Sequence, residues 1–257
     1  MRILLVGDTR GNTDWLTGFV TNTAFDVEAD LICVLGNFGY WPDRQEFIAA
    51  AADSKVPVMF LDGNREHHRF LNERVQAQQV RLGLSNIDVV PLVGNLSFLP
   101  RGCRMMWDGV SVAVLGGGRS IDRVLRQPGR DWFHEEGVSD SDLKTVQAGG
   151  KAKVFLTHDA PASVPLPVRN KGDMPRVWWN EFDVCAEHRE RLNFAFDTVQ
   201  PELLVHGHYQ LRWAGDVQRA WGVCKVVGFD DDEATMSSVG LLVCGSGQHT
   251  LFDFPTN

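Results

Sequence analysis

The chain is short of several features that would commit it to a specialised class. It has five cysteines, Cys33, Cys103, Cys185, Cys224 and Cys244. None are spaced as a Cys-x-x-Cys pair and the number is odd, which indicates neither a zinc knuckle nor a disulfide framework. Four of them lie in or beside apolar, strand-like runs and read as reduced structural thiols. No run approaches the ~18 apolar residues of a membrane span. The N-terminus lacks a basic stretch followed by an apolar one and a cleavage site. A cytoplasmic protein without a membrane partner is therefore expected. Positive charge is also scarce: 25 Lys and Arg stand against 33 Asp and Glu, a formal net charge of −8. That balance argues against an extended nucleic-acid surface, while leaving room for a local basic pocket. There is no linker, internal repeat or low-complexity tract, so residues 1–257 are expected to form one domain, near the upper size for a single core.

What the chain does have is a series of buried strands that end alike. An apolar run over residues 1–6 ends in Gly7-Asp8-Thr9-Arg10-Gly11-Asn12, and a helix-like pattern follows with Trp15, Leu16, Phe19 and Val20. Residues 29–35 form a second such strand, ending in Gly36-Asn37-Phe38-Gly39-Tyr40-Trp41. After a helix over about 44–52, residues 57–61 give a third, ending in Asp62-Gly63-Asn64-Arg65-Glu66-His67-His68. This βαβαβ order implies parallel strands with helical crossovers, so that all tips meet at one edge. Residues 89–92, 96–99, 103–107 and 110–115 read as an antiparallel meander in which a second sheet starts.

Gly116-Gly117-Gly118-Arg119 then opens a polar excursion to Trp132, with four arginines in a loop-like segment: either a solvated, salt-bridged loop or a lid facing an anion. Ser139 caps a helix to about residue 146, with Asp140 and Asp142 in its first turn. Residues 153–157 and 201–205 are further buried strands, ending in His158 and in His206-Gly207-His208-Tyr209-Gln210. A polar segment containing Trp178 and Trp179 leads to a helix over about 187–196. The remaining C-terminal runs look like antiparallel strands joined by acidic turns such as Asp230-Asp231-Asp232.

Asp8, Asn37, Asn64, His158 and His208 thus sit at five strand tips, and their ordered motifs resemble those of the calcineurin-like metallophosphoesterases. The similarity is to small bacterial and phage members with a Gly-Asp-Phe-Gly-Tyr-Trp second motif. It covers nearly the whole chain and implies an α/β fold, a four-layer αββα sandwich of two mixed sheets. For a phage-encoded member the location is the host cytoplasm. The family pattern implies two metals. The first would use positions 8, 10, 37 and 210, held here by Asp8, Arg10, Asn37 and Gln210. The second would use Asn37, Asn64, His158 and His208. Arg10, Asn37 and Gln210 depart from the family's His, Asp and His, and Arg65 stands where the family has the histidine that protonates the leaving group.

A permanently charged guanidinium is neither a ligand nor a general acid at neutral pH. An amide at the bridging position supplies no charge between two cations. Counting Asp8 against Arg10 and Arg65 leaves a surplus of positive charge, which suits phosphate without a metal. Three readings stay open. One is a catalytically impaired protein that binds a phosphorylated small molecule or nucleotide even in EDTA. Its phosphate set would be Arg10, Asn37, Asn64, Arg65, Arg119, Arg123, His158 and His208. The second is a phosphodiesterase or phosphatase with one remaining Mn, Mg, Zn or Fe ion on Asn64, His158 and His208, helped by Asp8 and Asn37. Asp8 and Arg65 would then carry catalysis. The third is a module that binds a protein, for a phage member a host protein, through an exposed patch of Trp178, Trp179, Tyr40 and Trp41.

Overall fold

The computed structural model describes residues 1–254, so the last three residues of the expected 1–257 domain lie outside the described part. The core alternation starts with the first strand, β1 (Arg2–Val6). Its successive side chains point to opposite faces. Leu4 and Val6 join one apolar cluster and Ile3 and Leu5 another. β1 pairs in parallel with β2 (Leu31–Val34) and β2 with β3 (Val58–Phe60). The helices between them are α1 (Thr13–Trp15), running through a π segment into α2 (Thr21–Asp26), and α3 (Gln45–Ala52).

The hairpin β4 (Val90–Val93) and β5 (Leu96–Phe98) follows. Contrary to the sequence expectation, it belongs to the first sheet, because β5 pairs in parallel with β3. The second sheet begins only at β6 (Arg104–Trp107) and β7 (Val110–Leu115). Between β3 and β4 lies α4 (His68–Leu82), a helix absent from the sequence reading. Only three of its fifteen residues, His68, Leu71 and Val75, are buried, so it has no apolar stripe wide enough to stand out.

β8 (Val154–Thr157), β9 (Leu203–His206), β10 (Trp213–Arg219) and β11 (Gly222–Gly228) complete the second sheet. Its order is β10-β11-β9-β8-β7-β6, and β11 pairs with β9 in parallel. The chain then returns to the first sheet with β12 (Val239–Gly245), antiparallel to β1, and β13 (Gln248–Asp253). That sheet has the order β13-β12-β1-β2-β3-β5-β4. α5 (Asp140–Gly149) has the expected Ser139 cap, with Asp142 closing a reciprocal capping box. α6 (Trp179–Val199) starts well before the anticipated residue 187 and takes in Trp179.

Three apolar clusters define four layers. One lies between the first helices and the first sheet, one between the sheets, and one between the second sheet and α5 and α6. The αββα sandwich of two mixed sheets is therefore the architecture. All five cysteines are free, and Cys33, Cys103, Cys224 and Cys244 are buried. Among the described residues, no helix is long and apolar enough to cross a membrane.

Candidate functional site

The two sheets deliver their polar tips to one place. Asp8 follows β1, Asn37 follows β2 and Asn64 follows β3, while His158 follows β8 and His208 follows β9. Eight non-glycine residues among those described have positive φ, and four of them are Arg10, Asn37, His208 and Gln210. Backbone cost is thus concentrated where the motifs turn away from their strands, a position where strain accompanies a site.

Asn37 has a fixed amide orientation. Its Oδ1 accepts the Arg65 backbone N–H at 2.8 Å. Its Nδ2 therefore faces Asp8 and donates to Oδ2 at 2.7 Å. The other Asp8 oxygen accepts the His208 backbone N–H at 3.1 Å. Asp8 is almost fully buried, and each of its carboxylate oxygens accepts one of these hydrogen bonds. Gly63 makes room for this: a Cβ there would lie 2.3 Å from Asn37 Oδ1 and 2.8 Å from His158 Nε2.

A second group forms around Asn64. His158 Nδ1 lies 2.8 Å from the Leu35 carbonyl, which can only accept, so Nδ1 carries a proton. Nε2 then faces Asn64 Oδ1, 3.1 Å away. His208 Nδ1 is 3.2 Å from the same oxygen. Burial pushes the His208 imidazole down to about 4, so it is neutral at pH 7. Asn64 Nδ2 points the other way and donates to Ser120 Oγ at 2.8 Å.

Two charged arms surround this centre. Arg10 turns away from the strand tips and pairs with Asp231, with Asp232 and Glu233 within 4 Å of its guanidinium. A backbone bridge between Asp8 and Asp231 holds that acidic turn beside the first motif. Arg65 pairs with Asp122 at 2.9 Å, and Arg126 shares the same carboxylate at 2.8 Å. Burial, and then the neighbouring Arg126, hold the Arg65 guanidinium below its usual value.

The surplus of positive charge counted from the sequence is therefore absent, because Asp122, Asp231 and Asp232 offset Arg10 and Arg65. Arg119 and Arg123 are not brought to the tips either. Arg123 forms a two-pronged pair with the buried Glu181, at 2.7 and 2.6 Å, and Arg119 faces Glu136 and the His134 carbonyl. Of the two readings of the arginine-rich segment, the salt-bridged loop describes these side chains. The segment's glycine run still covers the site, since a Cβ on Gly118 would lie 3.1 Å from His158 Cδ2 and 3.4 Å from His208 Cε1. Gln210 is exposed. Tyr40 is buried against Phe60 and Phe70, so it contributes to no surface patch.

Several supporting residues were not legible as such in the sequence. Glu66 accepts the backbone N–H groups of Phe38, Gly39 and Tyr40 at 2.6, 3.0 and 2.9 Å, fixing the second motif to the third. Asp159 accepts from Tyr209 Oη at 2.6 Å and from His188 Nδ1 at 2.8 Å, and His188 Nε2 accepts the Val138 N–H. Burial alone would raise the Asp159 carboxyl, but His208, His188 and these hydrogen bonds hold it well below the usual carboxylate range.

Among the described residues, no group of three His, Cys, Asp or Glu side chains is placed to hold a metal. The set that converges around Asn64 consists of two histidines and an amide.

The sequence model of the calcineurin-like phosphoesterases matches residues 1–210. A dimetal phosphatase from Danio rerio has a similar structure, with TM-score 0.53 and 11% identity, covering 99% of this chain and 99% of that one. A hypothetical protein from Thermus thermophilus gives TM-score 0.46 at 11% identity, covering 99% of this chain and 100% of its own. Likeness at such identity speaks to the fold alone. No curated protein matches the chain.

Proposed function

The chain belongs to the calcineurin-like phosphoesterases, and from that premise we propose that it binds a phosphate ester through a single divalent cation, with little or no two-metal hydrolysis. The observation that carries this reading is the close approach of His158 Nε2 to Asn64 Oδ1, at 3.1 Å. An imidazole nitrogen and an amide oxygen turned toward one point can share a cation between them. With His208 Nδ1 they make an N, N, O set that suits Zn, Mn or Fe better than Mg. A cation held there would supply Lewis acidity at a phosphoryl oxygen.

The first metal position does not fit a cation. Asn37 turns its NH₂ toward Asp8, and Arg10 brings a fixed positive charge held by Asp231. Without two cations and a carboxylate between them, no bridging hydroxide is supported. Arg65 sits at the rim, about half exposed, and can offer its guanidinium to phosphate oxygens in exchange for Asp122. It stays protonated and so cannot donate a proton to a leaving group. With Arg10 internally neutralised, the phosphorylated small molecule or nucleotide depends on the cation, and binding in EDTA is expected to be weak.

The test is calorimetry with Mn²⁺, then with inorganic phosphate. One equivalent of Mn²⁺, lost in His158→Ala, and phosphate binding that needs the metal are expected. Turnover of bis-p-nitrophenyl phosphate should be slow, and should rise when the family residues are restored together (Arg10→His, Asn37→Asp, Gln210→His). Two equivalents of metal in the unaltered protein, or phosphate binding indifferent to EDTA, would overturn the reading.

A further inference from the structure

Asn64 serves the cation only if its oxygen, and not its nitrogen, faces the histidines. Nothing on the histidine side enforces this, because His208 can present either a lone pair or a proton at Nδ1. The constraint comes from the opposite side. Ser120 Oγ lies 2.6 Å from Glu136 Oε2, and the Ser120 backbone N–H donates to Glu136 Oε1 at 2.9 Å. A carboxylate only accepts, so the single hydroxyl proton of Ser120 is committed to Glu136. Ser120 Oγ can then only accept from Asn64, at 2.8 Å, which requires Nδ2 on that side. All three side chains are buried, with Glu136 at 0% and Ser120 at 2% exposure, so water cannot substitute for a missing partner.

We propose that Glu136 and Ser120 are positioning residues that set the polarity of the Asn64 amide and thereby create the cation site. This inference rests on the single-cation reading above. It also couples the site to the covering segment. Ser120 lies on the outgoing limb and Glu136 on the returning limb, and the limbs are joined by Gly118 N–H to the Glu136 carbonyl at 2.8 Å. Arg123, three residues beyond Ser120, anchors the outgoing limb to Glu181 on α6. When this segment is seated the amide is locked. By linkage, a bound cation must stabilise the seated segment to the same degree.

The discriminating variant is Glu136→Gln, which keeps the shape and reverses the polarity. The new amide NH₂ donates to Ser120 Oγ, the Ser120 proton turns to Asn64 Oδ1, and Nδ2 is driven toward the histidines. Mn²⁺ affinity measured by calorimetry should fall about 10–100-fold, the usual cost of losing a partner that orients a ligand. Asn64→Asp has two oxygens and needs no orientation, so Glu136→Gln added to it should cause no further loss, a non-additivity that mere structural damage would not produce. Equal losses in both backgrounds, or no loss in either, overturn the proposal.

A metal-free readout keeps it separate from the single-cation reading. In ¹⁵N-edited NMR of the apo protein, the Asn64 side-chain NH₂ pair should exchange slowly and should shift in Glu136→Gln. The pair is assigned by its disappearance in Asn64→Asp. If the unaltered protein takes up no Mn²⁺, the single-cation reading fails, while a fast-exchanging pair unmoved by Glu136→Gln overturns the relay whether or not metal binds.

Discussion

Replacing Arg10 by methionine keeps most of the side chain's length and removes its charge, which leaves the Asp231 carboxylate without its cation. Asp231 is 6% exposed and Arg10 24%, so the pair is largely withdrawn from water. Breaking a fully buried pair costs roughly 3–5 kcal/mol, and the partial exposure of Arg10 brings the expected loss to about 2–3 kcal/mol. For a chain of this size that is a fall in Tm of roughly 5–10 °C. Asp231→Asn should cost less, about 1 kcal/mol, because Asp232 and Glu233 already lie 3.8 and 3.9 Å from the Arg10 guanidinium and can take it over. Among the described residues, Asp231 has otherwise the Glu233 backbone N–H to fall back on. The double variant should recover most of the Arg10→Met loss, since no charge is then stranded. Urea unfolding of the four proteins measures the cycle, and calorimetry with phosphate and Mn²⁺ should give unchanged binding in Arg10→Met. Undiminished stability in Arg10→Met, or lost phosphate binding with stability intact, would show that Arg10 is a ligand-binding group and that its pairing with Asp231 is incidental.

The remaining expectations concern the supports of the site. Burial pushes the His68 imidazole down to about 4, with Asp62 and Arg101 acting in opposite senses. The unfolded chain therefore binds this proton first, so stability should decline as pH falls from 6.5 to 4, and His68→Gln should flatten that slope in urea midpoints taken across the range. Gly63→Ala would drive a methyl into Asn37 Oδ1 and His158 Nε2, and should cost about 1–3 kcal/mol in urea unfolding together with Mn²⁺ binding. Glu66→Gln leaves one acceptor oxygen for three backbone N–H groups, and should cost about 1–3 kcal/mol by the same measurement.

The strand tips could be read from the sequence because each couples a local apolar run to a Gly-polar turn, a pattern contained within a dozen residues. The four layers were implied by the resemblance of those ordered motifs to the calcineurin-like family. What stayed hidden depends on distant pairing. A hairpin such as β4–β5 carries no sign of which sheet it joins, because that is decided by the β3–β5 register. Asp231 reads as one more residue of a solvated acidic turn, yet it meets Arg10 across 221 positions. The charge at the site therefore could not be counted from its motifs alone. Asn37 and Asn64 could be named as ligand-type residues, but the direction of each amide is set by the Arg65 N–H and by Ser120, and no spacing rule records that.

The pairing of β1 with β12 also has a consequence for assembly during synthesis. β1 emerges first, but its antiparallel neighbour is made more than two hundred residues later. A nascent chain that has not reached Val239 has β1 at an open sheet edge, with its backbone groups unpaired on that side. Arg10 has no counter-ion until the Asp231 turn is translated just before that strand. Long-range closure of this kind is slow and leaves the growing chain open to aggregation. The first motif is thus among the last parts of the molecule to take its final form.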